Sequence, residues 1–114
     1  MSSNLRKSYY KEIMRKLNVK APDEKIYIVA ERILLEYISC TDNEERKEIT
    51  KELQRIEGIL WERHRQLKFW ISALIKKKAS EDEIKDYIER KKKCLSAINQ
   101  IRGLLGKKPY GYNM

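Results

Sequence analysis

"TDNEERKEITKELQRIEGILWERHRQLKFWISALIKKK", residues 41–78, carries no proline and one glycine. Ile49, Leu53, Ile56, Leu60, Leu67, Trp70 and Leu74 recur at steps of 3 and 4 along it, the spacing of one face of an α-helix. "TDNE" at its start is a capping box, in which Thr41 accepts a backbone N–H and Glu44 reaches back. The spacing predicts one helix of about 50 Å, at ~1.5 Å per residue. Its length decides the fold, because shorter helices must pack along it.

A second apolar stripe follows a short "KKKAS" turn. "SEDE", Ser80 to Glu83, is another capping box, and Ile84, Tyr87, Ile88, Cys94, Leu95, Ile98, Ile101 and Leu105 continue at helical spacing up to Gly106, a natural stop. Two stripes across a short turn imply an antiparallel hairpin. Upstream, Pro22 opens a helix reaching Ser39, with Asp23 and Glu24 at its positive end. Ile26, Val29, Ala30, Ile33, Leu34, Tyr37 and Ile38 form its stripe, while Tyr27, Ile28 and Leu35 lie beside or outside it. A helix apolar around so much of its girth is central or faces a second protein. Leu5, Tyr9, Ile13, Met14 and Leu17 predict a further helix from Asn4 to Leu17, ended by "NVKAP". The expected fold is all-α: a four-helix, bundle-like domain over residues 1–106 with a long central hairpin, then a mobile basic tail over 107–114 that adds Tyr110 and Tyr112.

Composition limits the function classes. Hydrophobic residues make up 41% and charged residues 38%, too apolar for a disordered tail and too charged for a membrane protein. No apolar run approaches the ~18 residues of a spanning helix, and the N-terminus lacks a signal-peptide centre, so a cytoplasmic location is expected. Cys40 and Cys94 belong to no CxxC pair and read as small buried hydrophobes in a reducing compartment. Only 3 Gln beside many Lys, Glu and Ile points to a thermophile. The net charge of +9 is uneven: residues 76–114 hold 11 basic and 5 acidic side chains. That excess suits nucleic acid or an acidic protein, or serves solubility alone.

The middle of the long helix raises a separate question. Counting ~100° per residue, Trp61, Arg65, Lys68 and Phe69 lie opposite the apolar stripe, and Arg63 lies within it. The exposed-side aromatics have three readings: cover by an earlier helix, a protein partner, or nucleic acid with Arg65 and Lys68 on phosphates. Gly58 stands on the same side, where a close backbone approach would offset the ~1 kcal/mol cost of a mid-helix glycine. Arg63 must snorkel or meet a carboxylate, with Glu12, Glu31 and Glu36 as candidates. His64, at the stripe's edge, reads as packed or hydrogen-bonded. No catalytic triad, carboxylate pair, phosphate loop or metal-ligand cluster occurs, so no catalytic residue, metal, cofactor or small-molecule substrate is expected. The candidate nucleic-acid contacts are Arg65, Lys68, Lys76, Lys77, Lys78, Lys85, Lys92, Lys93, Lys107 and Lys108, although a helix dipole alone accounts for residues 76–78. The candidate interface residues are Tyr27, Ile28, Leu35, Trp61, Arg63 and Phe69.

"ELQRIEGILWERHRQLKFWISALIKKKASEDEIKDYIERKKKCLSAI", Glu52 to Ile98, resembles the α-helical domain of archaeal GINS subunits, and "SYYKEIMRKL", Ser8 to Leu17, is similar to that family's first helix. The likeness lies in layout: a long helix whose apolar stripe is broken by Arg or His, a basic turn, then a Ser with acidic residues. Such subunits usually carry a small β domain, for which this sequence has no segment. The resemblance implies a non-enzymatic subunit supporting the MCM helicase with a RecJ-like partner. It places the interface at Leu60, Arg63, Leu67, Phe69, Trp70 and Ile71. The sequence thus predicts an interaction subunit of a DNA-replication or DNA-processing complex. It would associate with a protein partner or as a homo-oligomer through its second and third predicted helices. The alternative is a stand-alone basic helical protein binding DNA or RNA, such as a viral or plasmid regulator or a small CRISPR-complex subunit.

Overall fold

The computed structural model describes residues 12–111 except residue 14. Among them are three helices and no strand: α1 (Asp23–Ser39), α2 (Asn43–Lys76) and α3 (Glu81–Leu104). The all-α expectation holds. The first predicted helix falls mostly outside the described residues, although residues 12–13 and 15–16 are helical. The chain divides into two compact units, residues 1–56 and 57–114, and α2 runs through both.

Each boundary has a local cause. Pro22 is the N-cap of α1 rather than its first helical residue, and Asp23 and Glu24 follow in the first turn. The start of α2 departs from the sequence reading by one residue. The Glu44 N–H donates to Asp42 Oδ1 at 3.3 Å, so Asp42 takes the capping role assigned to Thr41. The other capping residue is as expected: Ser80 Oγ accepts from the Glu83 N–H at 3.2 Å. Helix α2 stops where Lys78 adopts φ 57°, with Lys78 N–H donating to Ile75 O and Ala79 N–H to Leu74 O. The same paired bonds end α3, with Gly106 at φ 75°, Gly106 N–H on Gly103 O and Lys107 N–H on Arg102 O. Both ends are Schellman turns, and the first places a lysine where glycine is usual.

In the first unit, Leu17, Ile26, Ile33, Ile49, Leu53 and Ile56 are at most 1% exposed. Arg55 donates to the Leu17 carbonyl at 3.5 Å, and Arg46 to the Cys40 carbonyl at 2.7 Å. Cys40 is half-buried rather than buried, and both cysteines are free thiols. Ile38, expected in the stripe of α1, is 63% exposed. The buried stripe of α1 narrows to Ile26, Val29, Ala30 and Ile33.

In the second unit, the later part of α2 packs against α3. Glu57 meets Arg102, the Leu60 carbonyl accepts from Cys94 Sγ at 3.1 Å, and Trp70 meets Tyr87. Its core is Ile59, Leu60, Leu67, Cys94, Leu95, Ile98 and Ile101. Toward the turn the core thins, and Trp70 is 37% exposed where the stripe predicted burial. A Cβ on Gly58 would meet nothing within 4 Å, so among the described residues no backbone makes the close approach expected there.

Candidate functional site

Arg63 and His64 are the two buried polar side chains among the described residues, at 6% and 2% exposure. They stand where the stripe of α2 was broken in the sequence. Arg63 Nε donates to Gln66 Oε1 at 3.1 Å, one turn along the same helix. The sequence looked to Glu12, Glu31 or Glu36 for its partner; Glu12 is paired at 3.7 Å with Arg15 and Lys16. His64 Nε2 is buried and has no hydrogen-bond partner. Burial first, then the charges of Lys91 and Lys68, lowers the pKa of this imidazole below 6.5. The ring is therefore neutral at pH 7, and offers one donor and one acceptor.

Trp61 is half-buried, and its cover comes from the far end of the chain. The Tyr110 ring meets the indole edge-on at 4.7 Å, and the His64 ring does so at 5.2 Å. Tyr110 is held by a two-way bond. Asn99 Nδ2 donates to its carbonyl at 2.9 Å, and its N–H donates to Asn99 Oδ1 at 2.8 Å. Arg102 donates to the Lys108 carbonyl at 2.8 Å, lies 4.0 Å from the centre of the Tyr110 ring and pairs with Glu57. The tail makes contacts as far as Tyr110; Tyr112 lies outside the described residues. The sequence did not point to Asn99 or Arg102, and it placed Tyr110 only within a mobile basic tail. Their only signal was Gly106, whose left-handed turn sends the chain back along α3.

Trp61, His64, Arg65 and Lys68 line a half-open cleft of about 320 Å³. Their spacing of i, i+3, i+4 and i+7 places them on one side of α2. Arg65 pairs with Glu62 at 3.1 Å while its side chain stays 77% exposed. Phe69, one residue past the cleft, is 72% exposed.

The ten predicted nucleic-acid contacts, Arg65, Lys68, Lys76, Lys77, Lys78, Lys85, Lys92, Lys93, Lys107 and Lys108, are all exposed and all belong to the second unit. That unit holds 14 basic and 7 acidic residues. The predicted interface residues divide. Ile28 (55%), Leu35 (61%) and Phe69 are exposed; Tyr27 and Trp61 are half-buried; Arg63 is buried. Of the positions implied by the GINS resemblance, Leu60 and Leu67 are core and Ile71 is half-buried. No group of acidic, histidine or cysteine side chains able to hold a metal occurs among the described residues, and no described helix is long and apolar enough to cross a membrane.

No family model, curated protein or solved structure matches this chain.

Proposed function

We propose that this protein is a non-enzymatic helical interaction subunit of a DNA-processing assembly, GINS-like in role and cytoplasmic. One observation carries the reading: Ile28, Leu35 and Ile38 are each more than half exposed, and their spacing groups them on one side of α1. Large aliphatic side chains grouped on one helix face are costly in water and favour a covering partner. Phe69 adds a second exposed apolar anchor on α2. The partner is a protein or a second copy, reached through α1 and α2. The exposed cations of the second unit are left for nucleic acid. In this reading the first predicted helix completes a four-helix, bundle-like domain.

The test is the mass of the purified chain in solution over a hundredfold range of concentration. Mass rising above 13.7 kDa, and returning to it in the Ile28→Glu, Leu35→Glu double variant with helicity unchanged, is the expected result. A monomer at every concentration, with nucleic-acid binding that collapses as salt rises, would instead identify a stand-alone DNA- or RNA-binding protein.

A further inference from the structure

We propose that the cleft between Trp61, His64, Arg65 and Lys68 binds one unpaired nucleotide, its base against the indole and its phosphate on the two cations. The nucleotide is either free or one unit of a single strand. This inference does not depend on the subunit reading, because it concerns the other side of the chemistry: a recessed site rather than an exposed apolar face.

Four observations converge on it. First, a volume of about 320 Å³ lies at the small end of ligand pockets, suited to one nucleotide rather than to a peptide or a duplex. Second, the wall joins a half-buried indole to two exposed cations within two turns of helix, the pairing of stacking surface and phosphate ligand that single strands use. The indole is held edge-on by His64 and Tyr110, so its plane is set before a ligand arrives. Third, Lys68 and Lys91 lie close enough to His64 to act on its charge, so positive potential gathers at the cleft and favours an anion. Glu62 opposes this, but it is bound to one terminal nitrogen of Arg65 and leaves the rest of that donor fork free of it. Fourth, His64 forms part of the wall and meets the indole edge-on at 5.2 Å, so a base set against Trp61 lies beside the histidine ring. A duplex fits poorly, because its bases already stack on one another.

The experiment uses the full chain carrying Trp70→Phe, which leaves Trp61 as its only indole. Fluorescence is titrated at low salt with a nucleoside monophosphate, an eight-base single strand, the same strand as a duplex, and inorganic phosphate. Saturable quenching by the nucleotide, the single strand or both is expected. Response to the nucleotide identifies a small-molecule ligand, and response to the strand alone identifies nucleic acid. Arg65→Ala with Lys68→Ala should weaken binding at least tenfold, whereas Lys25→Ala with Lys51→Ala, an equal loss of exposed charge in the first unit, should change it less than twofold. With a labelled strand or nucleotide as the probe, Trp61→Phe should bind within threefold of the parent and Trp61→Leu at least tenfold more weakly. The ring nitrogens of His64, the sole histidine, should shift on binding. Absence of quenching by every ligand overturns the proposal. So do equal losses in the two double variants, equal binding of the duplex, or inorganic phosphate binding as tightly as the nucleotide.

Discussion

His64 is the only histidine in the chain and is 2% exposed. Its pKa is pushed below 6.5 by burial and by two lysines, so the linkage has a definite sign. Below pH 6.5 the unfolded chain takes up a proton at this ring while the folded chain does not. Stability at this residue is therefore undisturbed above 6.5 and falls as pH drops from 6.5 to the folded midpoint. An NMR titration of this ring should give a midpoint under 6.5, and His64→Gln should flatten the loss of denaturant stability in that window. A midpoint at 6.5 would show the ring to be solvated. The sequence placed His64 at the edge of the apolar stripe, since angle along a helix follows from position. It could not show the unpartnered nitrogen, because that depends on what the neighbouring side chains leave uncovered.

The element that organises the molecule is α2, 34 residues long. Its stripe was legible because a 3.6-residue period is a property of order along the chain. Its caps were legible to within a residue, since capping chemistry is local: Ser80 was read correctly, and Thr41 gave way to its neighbour Asp42. Gly58 was read less well. Among the described residues nothing makes the close approach that would explain it, and a Cβ would find open space. Gly58→Ala should therefore raise stability by about 1 kcal/mol, the helix-propensity difference, in a urea titration. A loss instead would mean that a neighbouring backbone does occupy that side in solution. The neighbouring helix α1 shows the limits of periodicity. Seven residues were assigned to its stripe, yet Ile38 is 63% exposed, because a stripe marks which residues can be buried and not how far a partner extends.

At the scale of the whole molecule, the returning tail makes one contact between residues far apart in sequence, Tyr110 on Trp61 across 49 residues. Removal of residues 107–114 deletes the two-way Asn99 bond, the Arg102 bond to Lys108 and the edge-on ring contact. At about 1 kcal/mol net for each of three hydrogen bonds and ~1 kcal/mol for an aromatic pair, the loss should be about 4 kcal/mol. A urea titration measures it, and Trp61 emission should shift toward the red as its cover goes. Unchanged stability and emission would show that the tail does not hold this position in solution. The sequence by itself determined the all-α class, the position of Arg63 and His64 in the stripe and the gathering of positive charge in the last third, all of which follow from order along the chain. Only the tertiary structure decided which aromatic is covered and which is left bare, where the tail returns, and that Trp61, His64, Arg65 and Lys68 line a half-open cleft. Those outcomes depend on packing between residues far apart in sequence, which no local period encodes.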